Sequence, residues 1–177
     1  MENERLETAI FAGGCFWGME HMMRKFPGVK SVMPGYIGGH KDHPRYEEVK
    51  AHTTGHAEAV RVQFDPSEVS FEELARYFFE IHDPTQTDGQ GPDLGPQYRS
   101  EIFYTSEEQK QVSEKLIAIL KEKGYDVVTR LTPATEFWTA EEYHQNYYAK
   151  TVSSAMYGPT LPDNLLANQV FFQTVGS

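Results

Sequence analysis

Cysteine is nearly missing from this chain: among 177 residues there is one, Cys15. An internal disulfide framework is therefore excluded, and a reducing, cytoplasmic setting is the simplest expectation. Basic residues are scarce too, 16 against 26 acidic ones, for a formal charge of −10. Binding to phosphate backbones needs a basic face, so nucleic acid is not expected as a partner. No apolar run is long enough to cross a bilayer, and Met1-Glu2-Asn3-Glu4 is too acidic to open a secretory signal. No membrane association is expected. No P-loop, G-x-G-x-x-G, G-x-S-x-G or H-E-x-x-H occurs, which removes the common nucleotide, serine-hydrolase and zinc-protease routes. His40, His43, His52 and His56 cluster in sequence. With a single cysteine and a glycine-rich loop around them they read as solvated side chains, and no metal or bound cofactor is expected.

What is present fits one ordinary globular domain over residues 1–177, with 39% hydrophobic and 24% charged residues. Residues 8–12 read as a short buried strand. Phe16, Met19, Met22, Met23 and Phe26 recur at helical spacing until Pro27-Gly28. Strands are predicted over 29–36 and 57–64, with a glycine-rich loop over 38–55 between them. Ser70 and Glu73 form a capping-box signature for a helix to about residue 81. A loop rich in Gly, Pro and Asp then runs over 83–98, long enough to suggest a functional role. A strand over 100–104, a helix over 106–123 and a strand over 126–131 follow. Thr139 and Glu142 suggest a second capping box, opening a helix to about residue 150.

The order strand, helix, strand, strand, helix, strand predicts an α+β fold with a ferredoxin-like (split βαβ) two-layer core. Appended helices and an irregular tail over 151–177, whose only charged side chain is Asp163, complete the expectation. A doubly wound sheet is the alternative, disfavoured by the direct passage from one strand to the next across 38–55.

Cys15 lies in Gly13-Gly14-Cys15-Phe16-Trp17-Gly18, between the first strand and the first helix. Unpaired N–H groups at a helix start favour a thiolate, so this placement reads as a reactive thiol rather than a small core residue. Phe16 and Trp17 are candidates to wall an apolar pocket beside it. Period-2 alternation puts Glu58 on the face of Val60, Val62 and Phe64. A carboxyl on an apolar face is pushed toward its neutral form, which can donate a proton. Tyr46 and Tyr98 fall in the two loops and offer phenolic donors.

Gly14-Cys15-Phe16-Trp17-Gly18, Gly35-Tyr36-Ile37-Gly38-Gly39, Thr54-Gly55-His56-Ala57-Glu58-Ala59-Val60 and Gln97-Tyr98-Arg99-Ser100 together resemble the A-type peptide methionine sulfoxide reductases. His82-Asp83-Pro84 and Tyr143-His144-Gln145 extend the likeness over residues 8–150. The resemblance implies repair of the S epimer of methionine sulfoxide, free or in peptides and oxidised proteins. It implies Cys15 as nucleophile and Glu58 as acid. Tyr46, Tyr98 and Asp93 would lie at the sulfoxide oxygen, and Phe16 and Trp17 would receive the substrate methyl group. Many members carry further cysteines near the C-terminus; this chain has none. The expectation is a one-cysteine variant whose sulfenic acid is reduced by an external thiol, either thioredoxin or glutathione with glutaredoxin. A resolving cysteine on a partner is a further option. Two rival readings are a cysteine acyl transferase activated by His144 and a module that binds methionine-rich peptides.

Overall fold

The computed structural model describes residues 5–151. Its centre is β1 (Glu7–Gly13), where Ala9, Ile10, Phe11 and Ala12 are all buried. Successive side chains of a strand point to opposite faces, so such a run requires cover on both sides of the sheet. β1 pairs antiparallel with β3 (Ala57–Phe64) and β6 (Ser100–Tyr104). β2 (Val29–Ile37) lies antiparallel on the outer side of β3, and β8 (Trp138–Thr139) lies antiparallel beyond β2. β7 (Arg130–Pro133) runs parallel to β6, closing a six-stranded mixed sheet of order β7-β6-β1-β3-β2-β8.

Helices α1 (Phe16–Arg24), α3 (Phe71–Glu80) and α4 (Glu107–Glu122) share one buried cluster with Phe11, Val60, Val62 and Phe64. Burying each such side chain stabilises by roughly 1.5–3 kcal/mol. On the opposite face, Ile10, Ala12, Ala57, Ala59 and Phe103 pack beneath Ala134 and Phe137. Glu58 therefore takes the helix-covered face, as the alternation requires. α3 starts at the expected capping box: Ser70 Oγ accepts from the Glu73 N–H at 3.1 Å, and Glu73 accepts from the Ser70 N–H at 3.2 Å.

Four stretches differ from the sequence reading. The 38–55 loop contains a short helix, α2 (Tyr46–Lys50), and the 83–98 loop holds a two-residue ladder of β4 (Gly89–Gln90) and β5 (Asp93–Leu94). The strand expected over 126–131 is β7, beginning only at Arg130. The helix expected from Thr139 to about residue 150 does not form as one piece. Thr139 pairs with Gly35 in the sheet, a 3-10 turn covers Glu142–His144, and α5 (Tyr147–Thr151) starts afresh. Asn146 breaks the run at φ 54°, giving its N–H to both oxygens of the buried Glu20 at 2.9 Å instead of to a helical carbonyl. The tail expected over 151–177 falls, from residue 152 on, outside the described residues.

Gly14 forms the turn that delivers Cys15, at φ +100°, and a Cβ there would come within 2.9 Å of Gln90. Gln90 cannot swing away freely, because its amide exchanges hydrogen bonds with the backbone of Asp83. Gly14→Ala should therefore cost about 1–3 kcal/mol of stability. Thermal melting checks the loss, and alkylation of Cys15 by iodoacetamide, at a rate different from the parent's, checks the displaced turn.

Candidate active site

Cys15 is the N-cap of α1, with φ −59° and ψ 126°, and its side chain makes no capping bond. It is the one free cysteine and is half-buried. The expected thiolate is not its resting form. Burial, reinforced by the charge of Glu58, pushes the thiol up to about 12, and the N–H groups of Trp17 and Gly18 only partly offset this. The helix start acts as foreseen, but desolvation of the sulfur outweighs it.

Glu58 is 2% exposed and sits opposite Tyr36 across the β2–β3 pair. Its Oε1 accepts the Phe16 N–H at 3.1 Å, which fixes the carboxyl against the first turn of α1, one residue past the sulfur. Burial raises it to about 8, against the lowering effect of that hydrogen bond. The group is thus predominantly neutral at pH 7.

Tyr46 opens α2 and Tyr98 closes the 3-10 turn at Pro96–Tyr98; both are half-buried. Burial pushes Tyr46 up to about 12, with the charges of Glu58 and Cys15 adding to it. Tyr98 is raised by burial and then by Glu58, Tyr46, Cys15 and Asp93. Asp93, on β5, is exposed, yet partial desolvation raises its carboxyl, and its charge is felt at both Cys15 and Glu58. Segments far apart in sequence thus bring Cys15, Glu58, Tyr46, Tyr98 and Asp93 within electrostatic reach of one another.

The two aromatics after the cysteine separate. Phe16, expected to line a pocket, is 1% exposed, with its ring packed against Tyr36 and His144. Trp17 stays half-exposed, stacked on Tyr147 at 3.8 Å and 7°. Its indole N–H donates to His144 Nδ1 at 2.9 Å. His144 is fully buried, and Glu141 beside it accepts the Tyr36 hydroxyl at 2.7 Å and the Tyr46 N–H at 2.8 Å. Burial opposes the charge of Glu141, but those two donors hold its carboxyl below the ordinary range. Sequence reasoning missed this Glu141–His144 support, although the motif Tyr143-His144-Gln145 marked the place. His56, read as a solvated loop residue, is instead buried, accepting the Gly39 N–H at Nδ1 and bonding the Lys41 carbonyl through Nε2.

The family model described as peptide methionine sulfoxide reductase matches residues 7–166. The chain belongs to the peptide methionine sulfoxide reductase family. It is 49% identical to the peptide methionine sulfoxide reductase MsrA of Geobacter sulfurreducens over 152 residues, 84% of this chain and 94% of that relative. Among solved structures it is similar to Mxr1 of Saccharomyces cerevisiae in reduced form. The TM-score is 0.78 at 36% identity, covering 85% of this chain and 88% of that one. Mxr1 in complex with Trx2 is also similar, with a TM-score of 0.58 at 28% identity over 82% of this chain and 87% of that one. As a member of this family the chain is a methionine sulfoxide reductase, an oxidoreductase, and the rival acyl-transfer and pure-binding readings fall. Among the described residues no helix is long and apolar enough to cross a membrane.

Proposed function

We propose that this chain, as one catalytic domain in a reducing cytoplasm, reduces the S epimer of methionine sulfoxide, free or in proteins, through a cysteine sulfenic acid. The observation that carries the reading is the buried, proton-holding Glu58 tied to the residue after Cys15. In a neutral carboxyl the carbonyl oxygen is the better acceptor. The Phe16 N–H at Oε1 therefore favours the proton on Oε2, the oxygen that this bond leaves available as a donor.

A sulfoxide sulfur is a poor electrophile until its oxygen is protonated or strongly hydrogen-bonded. Glu58 gives its proton to that oxygen, aided by the phenols of Tyr46 and Tyr98, while the Cys15 sulfur attacks the substrate sulfur. The thiol proton passes to the Glu58 carboxylate just formed, restoring the acid. The oxygen transfers to Cys15 and the thioether leaves, so thiol plus sulfoxide yields sulfenic acid plus methionine. Asp93 raises the proton affinity of Glu58 and of Tyr98. Trp17 meets the substrate methyl group, where sulfur–aromatic contact contributes about 0.3–1.5 kcal/mol, and Phe16 backs the site from beneath.

One external thiol then condenses with the sulfenic acid, releasing water, and a second thiol releases Cys15 with an external disulfide. The similarity to Mxr1 in complex with Trx2 supports thioredoxin as the donor, with glutathione and glutaredoxin as the alternative. The β1–α1–β2–β3–α3–β6 order supports reading the core as a split βαβ arrangement. Without any thiol, wild-type enzyme mixed with excess methionine S-sulfoxide should release about one methionine per Cys15 and give a dimedone-trappable sulfenic acid. Continued release without reductant, or an equal yield from the R epimer, would refute the proposal.

A further inference from the structure

His144 shows a hydrogen-bonding state that the reaction itself does not explain. An indole N–H can only donate, so the 2.9 Å bond from Trp17 requires an unprotonated Nδ1 on His144. The neutral ring then carries its proton on Nε2, which is buried and has no hydrogen-bond partner among the described residues. The carboxylate oxygen Glu141 Oε1 lies 3.8 Å away and already receives the Tyr36 hydroxyl. Burial lowers the proton affinity of the ring, with the charges of Glu141 and Glu47 opposing, and this favours the neutral form. An unpaired buried N–H carries a desolvation cost. The ring nevertheless sits among four aromatics: Phe16 at 5.1 Å, Trp17 at 5.6 Å, Tyr46 at 4.5 Å and Tyr143 at 4.0 Å.

We propose that His144 is a positioning residue, a single-tautomer acceptor that holds the Trp17 indole and the Tyr46 ring in register with Cys15. This rests on the reading of Trp17 and Tyr46 as groups that meet the sulfoxide. Trp17 stands at the start of α1 and Tyr46 at the start of α2, elements separated by the whole of β2. His144 touches both rings, and its neighbour Glu141 holds the Tyr46 N–H. The geometry assigns the unpaired Nε2 as the cost of presenting Nδ1 to the indole. A ring needed only to fill space would not require that acceptor.

The test uses full-length chain carrying Trp138→Phe, which leaves Trp17 as the only indole. His144→Phe keeps a ring of similar size without an acceptor, whereas His144→Asn places a carbonyl oxygen near the position of Nδ1. His144→Phe should raise KM for a methionine sulfoxide peptide about tenfold, more than it lowers kcat, as expected for a displaced binding wall. Its Trp17 emission should shift, and His144→Asn should return both readouts toward the parent. Combined with Trp17→Phe, the His144→Phe change should add little further loss. Unchanged emission and KM in His144→Phe, or equal losses in the Phe and Asn variants, would overturn the proposal. If His144→Phe does not fold, His144→Asn decides alone: parent-like emission and KM support the clamp, and an about tenfold KM rise overturns it. Should the parent release no methionine at all, the proposed reaction fails, while Trp17 emission still reports on the clamp.

Discussion

Cys15→Ser should lower thiol-dependent release of methionine from a sulfoxide peptide by about 10⁴-fold or more, at unchanged fold. The size follows from chemistry: a serine hydroxyl neither attacks a sulfinyl sulfur nor accepts its oxygen in a reducible form. The unchanged fold follows from structure. The Cys15 side chain makes no capping bond, so serine removes no hydrogen bond at the start of α1 and brings a better capping group. Activity and thermal melting measured on one preparation separate the two effects. Residual turnover within about tenfold of the parent would place the nucleophile elsewhere.

Glu58→Gln should slow the single-turnover formation of methionine by about 10²–10⁴-fold, the usual contribution of a positioned acid. Glutamine keeps an acceptor for the Phe16 N–H and loses the acidic proton, so the substitution isolates the transfer from the packing. The pH dependence supplies the sign. Glu58 is raised to about 8, so its acidic form is filled below that value and emptied above it. The parent's rate should therefore fall as pH rises through about 8, and the variant's should not. Cys15, pushed up to about 12, predicts the opposite slope if the thiolate were the scarce species, since its population grows with pH. A parent rate that climbs steadily from pH 7 to 10 would remove Glu58 from the acid role.

Both groups were legible in the sequence for reasons that survive in the fold. Val60, Val62 and Phe64 are buried with the helices, and the two-residue repeat carries Glu58 to their side without any knowledge of the partners. Gly13-Gly14 before an apolar helical repeat marks a tight strand-to-helix turn, and the turn is there. The protonation state of Cys15 was not legible. A helix start can be read from local residues, whereas desolvation depends on what packs over the sulfur. The unbroken helix expected after Thr139 failed for a related reason. Its capping signature is present, but Gly35 recruits Thr139 into the sheet and Glu20 takes the Asn146 N–H. The motif Tyr143-His144-Gln145 marked the segment, but the bracing role of Glu141 and His144 was not legible, because their partners Tyr36, Tyr46 and Trp17 are distant in the chain.

Those separations set when the site is assembled. The bonds from Trp17 to His144, Tyr36 to Glu141 and Asn146 to Glu20 join residues 127, 105 and 126 positions apart. Loops that long close late and slowly, since their entropy is lost before any contact rewards it. On the ribosome Cys15 emerges more than a hundred residues ahead of the segment that braces its surroundings. A half-made chain therefore exposes an unbraced sulfur, and repair competence arrives as a late event of synthesis.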